Sequence, residues 1–101
     1  MATIEELREL SQRIDDLFLA NKREKGERLL DEALDLAEAT DEAYALFFRG
    51  EKLHFLKKDY EGQKELLAQA VEMSPEDSFL VRSRGVSLSK LGRKAPGTIY
   101  F

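Results

Sequence analysis

Between Tyr44 and Asp77 the sequence holds one complete helix–turn–helix unit, and that unit restricts the chain to helical architectures. Phe47 opens an apolar helix that continues through Leu53, Phe55 and Leu56. Asp59-Tyr60-Glu61-Gly62 supplies a turn. Leu66, Leu67, Ala70 and Val71 then recur at helical spacing as a second apolar face, and Ser74-Pro75 stops it. A two-helix unit of this size cannot bury its apolar face alone, so it must stack on neighbours of the same kind.

The flanking sequence offers such neighbours. Thr3-Ile4-Glu5-Glu6 has the form of a capping box. Ile4, Leu7, Leu10, Ile14, Leu17 and Phe18 follow at spacings of three and four, predicting a first helix to about Asn21. The polar run Asn21–Gly26 reads as a turn, and Leu29, Leu30, Ala33, Leu34, Leu36 and Ala37 form a second helix. Thr40-Asp41 caps a third helix and Asp59 a fourth. Pro75 suits the start of a fifth, which carries Phe79, Leu80, Val86, Leu88 and Leu91 and ends at Gly92. The expected fold is all-α: five helices in antiparallel hairpins joined by short turns, folding fast through local contacts. The helical domain covers residues 1–94, with hairpins over about 3–39 and 41–74 and a last helix over about 77–91. Pro96-Gly97 breaks the helix, and Thr98–Phe101 favours an extended tail over 95–101. That tail either folds back over the open end of the stack, leaves an apolar patch exposed, or docks on a second copy.

The unit repeats. Leu29–Leu36 (Leu-Leu-Asp-Glu-Ala-Leu-Asp-Leu) matches Leu66–Met73 (Leu-Leu-Ala-Gln-Ala-Val-Glu-Met), and Gly26 and Gly62 precede the two matching helices. Ser78–Lys94 matches the opening helix of a further unit through Val81, Gly85, Leu88 and Gly92. This resembles the tetratricopeptide repeat, whose units run to about 34 residues with aromatic, small and proline signatures. The resemblance covers two and a half repeats and implies a right-handed α-solenoid. Three positions depart from the family's pattern. Gly50 sits one residue before the usual small position, Gln63 replaces Ala where paired helices cross, and Glu38 replaces the stop proline. They predict either looser packing within the pairs or a plain stack of helical hairpins outside the family.

The resemblance also implies where a ligand sits: in a concave groove lined by the first helix of each pair. Carried onto this chain, the central candidates are Phe48, Arg49, Lys52, Phe55, Phe79, Arg82, Val86 and Lys90. Ala45, Leu56, Ser83, Arg8, Gln12, Asp15, Phe18 and Leu19 flank them. Guanidinium groups bind carboxylates through paired hydrogen bonds, and aromatic rings supply apolar anchors. The expected partner is a protein or peptide that is extended, acidic or ends in a free carboxylate. The clamp asparagines of the chaperone-binding members are absent, with Asp15 and Lys52 in their places. The rival readings are a homodimer formed through the incomplete third repeat, and an excised or designed scaffold without a natural ligand.

Other classes find little support. His54 is the single histidine and cysteine is absent, so transition-metal ligands are lacking and no metal or other cofactor is expected. Asp15-Asp16 and Asp41-Glu42 are adjacent on helices and diverge, no glycine-rich phosphate loop is present, and no serine has a base partner, so catalysis is not expected. Residues 1–43 hold 13 acids against 6 bases, and residues 44–101 hold 7 against 10. An RNA-reading repeat would carry basic faces on most of its units, so nucleic acid is not an expected partner. No apolar run approaches the ~20 residues of a membrane span, and the acidic N-terminus lacks signal-peptide features. The expected location is the cytosol.

Overall fold

The computed structural model describes the backbone of residues 2–94 and the side chains of residues 2–89. The described chain is all-helical: α1 (Ile4–Leu19), α2 (Arg23–Glu38), α3 (Glu42–Lys52), α4 (Tyr60–Met73) and α5 (Ser78–Lys94). A π-helical turn, Leu53–Lys57, continues α3. Each helix packs on the next in sequence, α1 on α2, α2 on α3, α3 on α4 and α4 on α5. Connections as short as these leave the chain little option but to reverse. Among the described residues there is no strand, and no helix is long and apolar enough to cross a membrane. The tail over 95–101 lies outside the described residues.

Local chemistry explains the helix starts. Thr3 Oγ1 accepts from the Glu6 amide at 3.1 Å while Glu6 Oε1 accepts from the Thr3 amide at 3.3 Å, closing the capping box. Asp41 accepts from the Tyr44 amide and Asp59 from the Gly62 amide. Helix five begins at Ser78, within a residue of the expected start, with Pro75 lying before it and not in its first turn. The reason is Asp77, whose Oδ1 accepts from the Phe79 and Leu80 amides at 2.9 and 3.1 Å. A side-chain acceptor satisfies amides that a proline start leaves open. α5 also runs past Gly92 to Lys94.

The first turn is tighter than the sequence suggested, because α2 starts at Arg23 and Gly26 lies inside it, buried. A Cβ on Gly26 would sit 2.7 Å from the Phe18 ring, so the missing side chain is what lets that ring close the hairpin. Phe18 in turn stacks on Phe55, centroids 4.2 Å apart and planes within 5°.

The core draws on every helix but centres on α3, which buries Ala43, Tyr44, Ala45, Phe47, Phe48 and Gly50. Leu7 and Ile14, Leu30, Ala33 and Ala37, Leu67 and Ala70, and Leu80 complete it from the other four helices. The buried alanines allow close approach of helix axes. Where α3 crosses α4 the bulk is reversed: Gln63 is large, and its Cγ lies 3.4 Å from where a Gly50 Cβ would be. Gln63 therefore packs over Gly50, and the crossing is filled.

The π turn ends in strain. Lys58 takes a left-handed conformation (φ 53°, ψ 31°), which turns the Asp59 amide back to donate to the Leu53 carbonyl at 2.9 Å, where the Lys58 amide donates as well. An L side chain in this region costs ~1–2 kcal/mol, against ~0.5–1 kcal/mol for glycine's extra freedom when unfolded. Lys58→Gly is expected to stabilise the protein by about 0.5–1 kcal/mol. Thermal unfolding followed by circular dichroism checks this as a rise of a few degrees in midpoint.

Candidate functional site

The odd-numbered helices meet through one polar node. Arg8 on α1 donates from Nε to the Tyr44 hydroxyl at 2.9 Å, and that hydroxyl donates to Asp77 Oδ2 at 2.6 Å. Arg8 also pairs with the same carboxylate oxygen at 3.2 Å. One side chain from α1, one from α3 and the capping residue of α5 are thus joined. Burial raises the Tyr44 phenol well above its usual range, and donation to Asp77 raises it further. The hydrogen bond to Tyr44 holds the Arg8 guanidinium above its ordinary value, against the opposing effect of burial. Burial pushes the Asp77 carboxyl up, but donors from Tyr44, the Leu80 amide and Arg8 together outweigh it and leave the group below the usual carboxylate value.

Aromatic packing extends the node. Tyr44 stacks on Phe79 at 5.9 Å, Phe47 meets Phe79 edge-on at 5.3 Å, and the Arg8 guanidinium lies 6.0 Å from the Phe79 ring centre. These contacts fix the spacing of α1, α3 and α5 and leave a cavity of about 400 Å³ between them. Ser11, Gln12, Asp15 and Leu19 line it from α1. Phe47, Glu51, His54 and Phe55 line it from α3 and the π turn. Phe79, Arg82, Ser83, Val86 and Ser87 line it from α5, and Gln63 of α4 reaches its floor. There Gln63 donates to Glu51 at 3.2 Å and accepts from the Ser87 hydroxyl at 3.4 Å. His54 packs edge-on against Phe55 and Tyr60. Leu19 is 85% exposed and Val86 50% exposed, so apolar surface faces solvent along the cavity.

The structure separates the expected site residues. Phe55, Phe79, Arg82 and Val86 line the cavity, with Gln12, Asp15, Leu19 and Ser83 of the flanking set. Phe48 and Ala45 do not; both are in the core. Arg49 and Lys52 face α2, where they pair with Glu38 at 2.8 Å and Asp31 at 2.9 Å. With Leu56 they border a different depression. Arg8 belongs to the polar node and Phe18 to the stack on Phe55. The Lys90 side chain lies outside the described residues. The residues of α3 and the π turn that sequence reasoning missed are Phe47, Glu51 and His54. Their spacing of four and three does mark one helical face, rotated about 100° from Phe48 and Lys52.

The charges are mixed: Asp15 from α1, Glu51 from α3 and Arg82 from α5. Among the described residues no group of three His, Cys, Asp or Glu side chains is placed to hold a metal. The arrangement provides apolar anchor area with scattered polar side chains around a concavity between three helices, which suits non-covalent binding. Comparison with known protein families, with curated proteins and with solved structures gives no match.

Proposed function

We propose that this chain is a non-catalytic protein-interaction module of the tetratricopeptide type that seats an extended peptide between α1, α3 and α5. The observation that carries this is the cavity itself. Its volume of about 400 Å³ falls in the range of ligand clefts, and its walls come from alternate helices, as in a stack of hairpins with a concave side. Leu19, Phe55, Phe79 and Val86 would anchor apolar side chains, while Gln12, Ser83 and Arg82 would orient the backbone and a carboxylate. The preference for an acidic residue rests on Arg82, since Arg49 and Lys52 face elsewhere.

The test is an amide-shift titration of the labelled chain with acetyl-Ser-Leu-Ser-Phe-Asp bearing a free carboxylate. Saturable shifts at Leu19, Phe55, Arg82 and Val86 are expected. Val86→Asp, at a half-exposed position that tolerates polarity, should reduce affinity at least about fivefold by removing apolar contact. Shifts confined to other residues, or affinity unchanged in Val86→Asp, would sink the groove reading.

Self-association is a second reading with its own observation. Val81 and Leu88 on the other side of α5 are exposed, and a Cβ on Gly85 between them would meet nothing within 4 Å. That face would suit a second copy. A mass that doubles with concentration in light scattering, and returns to the monomer in Val81→Glu, would favour it.

A further inference from the structure

We propose a second binding surface, distinct from the groove, that takes an acidic peptide through one large apolar side chain set between two carboxylates. It is a depression of about 310 Å³ where α2, α3, the π turn and α4 meet. Leu34, Leu53, Leu56 and Leu66 form its apolar part, and Arg49, Lys52 and Lys57 supply the charge. No lining residue is acidic and none is shared with the groove.

The charge sign is the telling feature. The chain carries 20 acids against 16 bases, yet the charged side chains that line this leucine-rich concavity are all cations. Two of them already hold carboxylates from α2, Arg49 on Glu38 and Lys52 on Asp31, with every partner roughly 40–55% exposed. Pairs this exposed contribute little, so an incoming carboxylate exchanges with them at small cost. Lys57 is exposed and pairs with no carboxylate among the described residues.

Spacing selects the ligand. Arg49 and Lys57 lie eight residues apart along α3 and the π turn, on the order of 10–12 Å. A ligand with one carboxylate head, as on a fatty acid, would use only part of this span. An extended peptide advances ~3.3 Å per residue and points alternate side chains to one side. Glu-x-Leu-x-Glu therefore covers about 13 Å with acid, leucine and acid on the same side, matching cation, leucine cluster and cation. The π turn couples the two surfaces: it sends Leu53 and Leu56 here and His54 and Phe55 to the groove. Such turns recur where a helix serves a site.

The experiment titrates the whole labelled chain at low salt with acetyl-Glu-Ser-Leu-Ser-Glu-amide. Saturable amide shifts are expected at Leu34, Leu53, Lys57 and Leu66. Lys57→Glu, on an exposed side chain, should weaken binding about fivefold, raised salt should weaken it further, and Arg82→Glu in the groove should leave it unchanged. The same peptide with leucine replaced by serine should bind at least about fivefold more weakly. Five results would each overturn the proposal: shifts at Leu19 and Val86 instead, no saturable shift at all, equal binding of the serine peptide, indifference to Lys57→Glu, or tighter binding of decanoate than of the peptide at these residues. A dimer that Lys57→Glu dissociates would overturn it as well, by making a second copy the occupant.

Discussion

Phe48→Ala is expected to destabilise the protein by about 3–5 kcal/mol, the usual cost of emptying a buried phenylalanine site. Total stabilities run ~5–15 kcal/mol, so the variant would be near its unfolding threshold. Phe48 is 0% exposed, on the helix that supplies the largest share of the core, and it packs edge-on against Phe47 at 5.0 Å. Its removal leaves a void that rigid helices on every side cannot close. Equilibrium urea unfolding measures the effect as a lower midpoint at unchanged slope. A loss below about 1 kcal/mol would instead mean that Phe48 faces solvent, and the phase of α3 would have to be turned. The experiment thus bears on function as well as stability, because the phase that buries Phe48 also presents Phe47, Glu51, His54 and Phe55 to the groove.

That phase is where the sequence was least legible, for a physical reason. α1 alternates apolar and polar residues cleanly, with Leu7 and Ile14 buried and Glu5, Glu6 and Glu9 exposed, so its inner face can be read directly. α3 lies between neighbours and buries six of its eleven residues, around much of its circumference. With so narrow a solvated stripe, periodicity carries little information about which side faces which partner. Caps were readable because Thr3, Asp41 and Asp59 act on amides three residues away. The node was not: Arg8, Tyr44 and Asp77 are 36, 33 and 69 residues apart, and nothing in the local sequence of any one announces the others. The Gly50–Gln63 crossing shows the same limit, since each looked like a defect alone and their facing each other between α3 and α4 is a long-range fact.

Asp77→Ala should cost about 2–4 kcal/mol at neutral pH. It removes the cap of α5, a change worth roughly 0.5–2 kcal/mol, and it leaves the buried Tyr44 O–H without its acceptor, worth roughly 1–3 kcal/mol. Arg8, about a third exposed, recovers water when its partner goes and adds little. Asp77→Asn should cost less, because its one carbonyl oxygen can still cap the Phe79 and Leu80 amides, although an amide nitrogen then replaces the acceptor that faces Tyr44 and Arg8. The pH dependence separates the charge from the cap. The folded-state value of Asp77 is depressed, so the unfolded chain binds its proton more readily than the folded chain does. The stability contributed by the ionised group is therefore complete above the ordinary carboxylate value of about 4 and is lost as pH falls through the folded value. Unfolding measured from pH 7 down to pH 2 should show the gap between the parent protein and Asp77→Asn narrowing across that interval. A gap constant with pH would mean that the carboxylate's charge does not stabilise the node. The node sets the spacing of α1, α3 and α5, so Asp77→Ala should also weaken peptide binding in the groove at a temperature where the variant remains folded. Binding between Leu34 and Leu66, whose walls hold no residue of α1 or α5, should survive it.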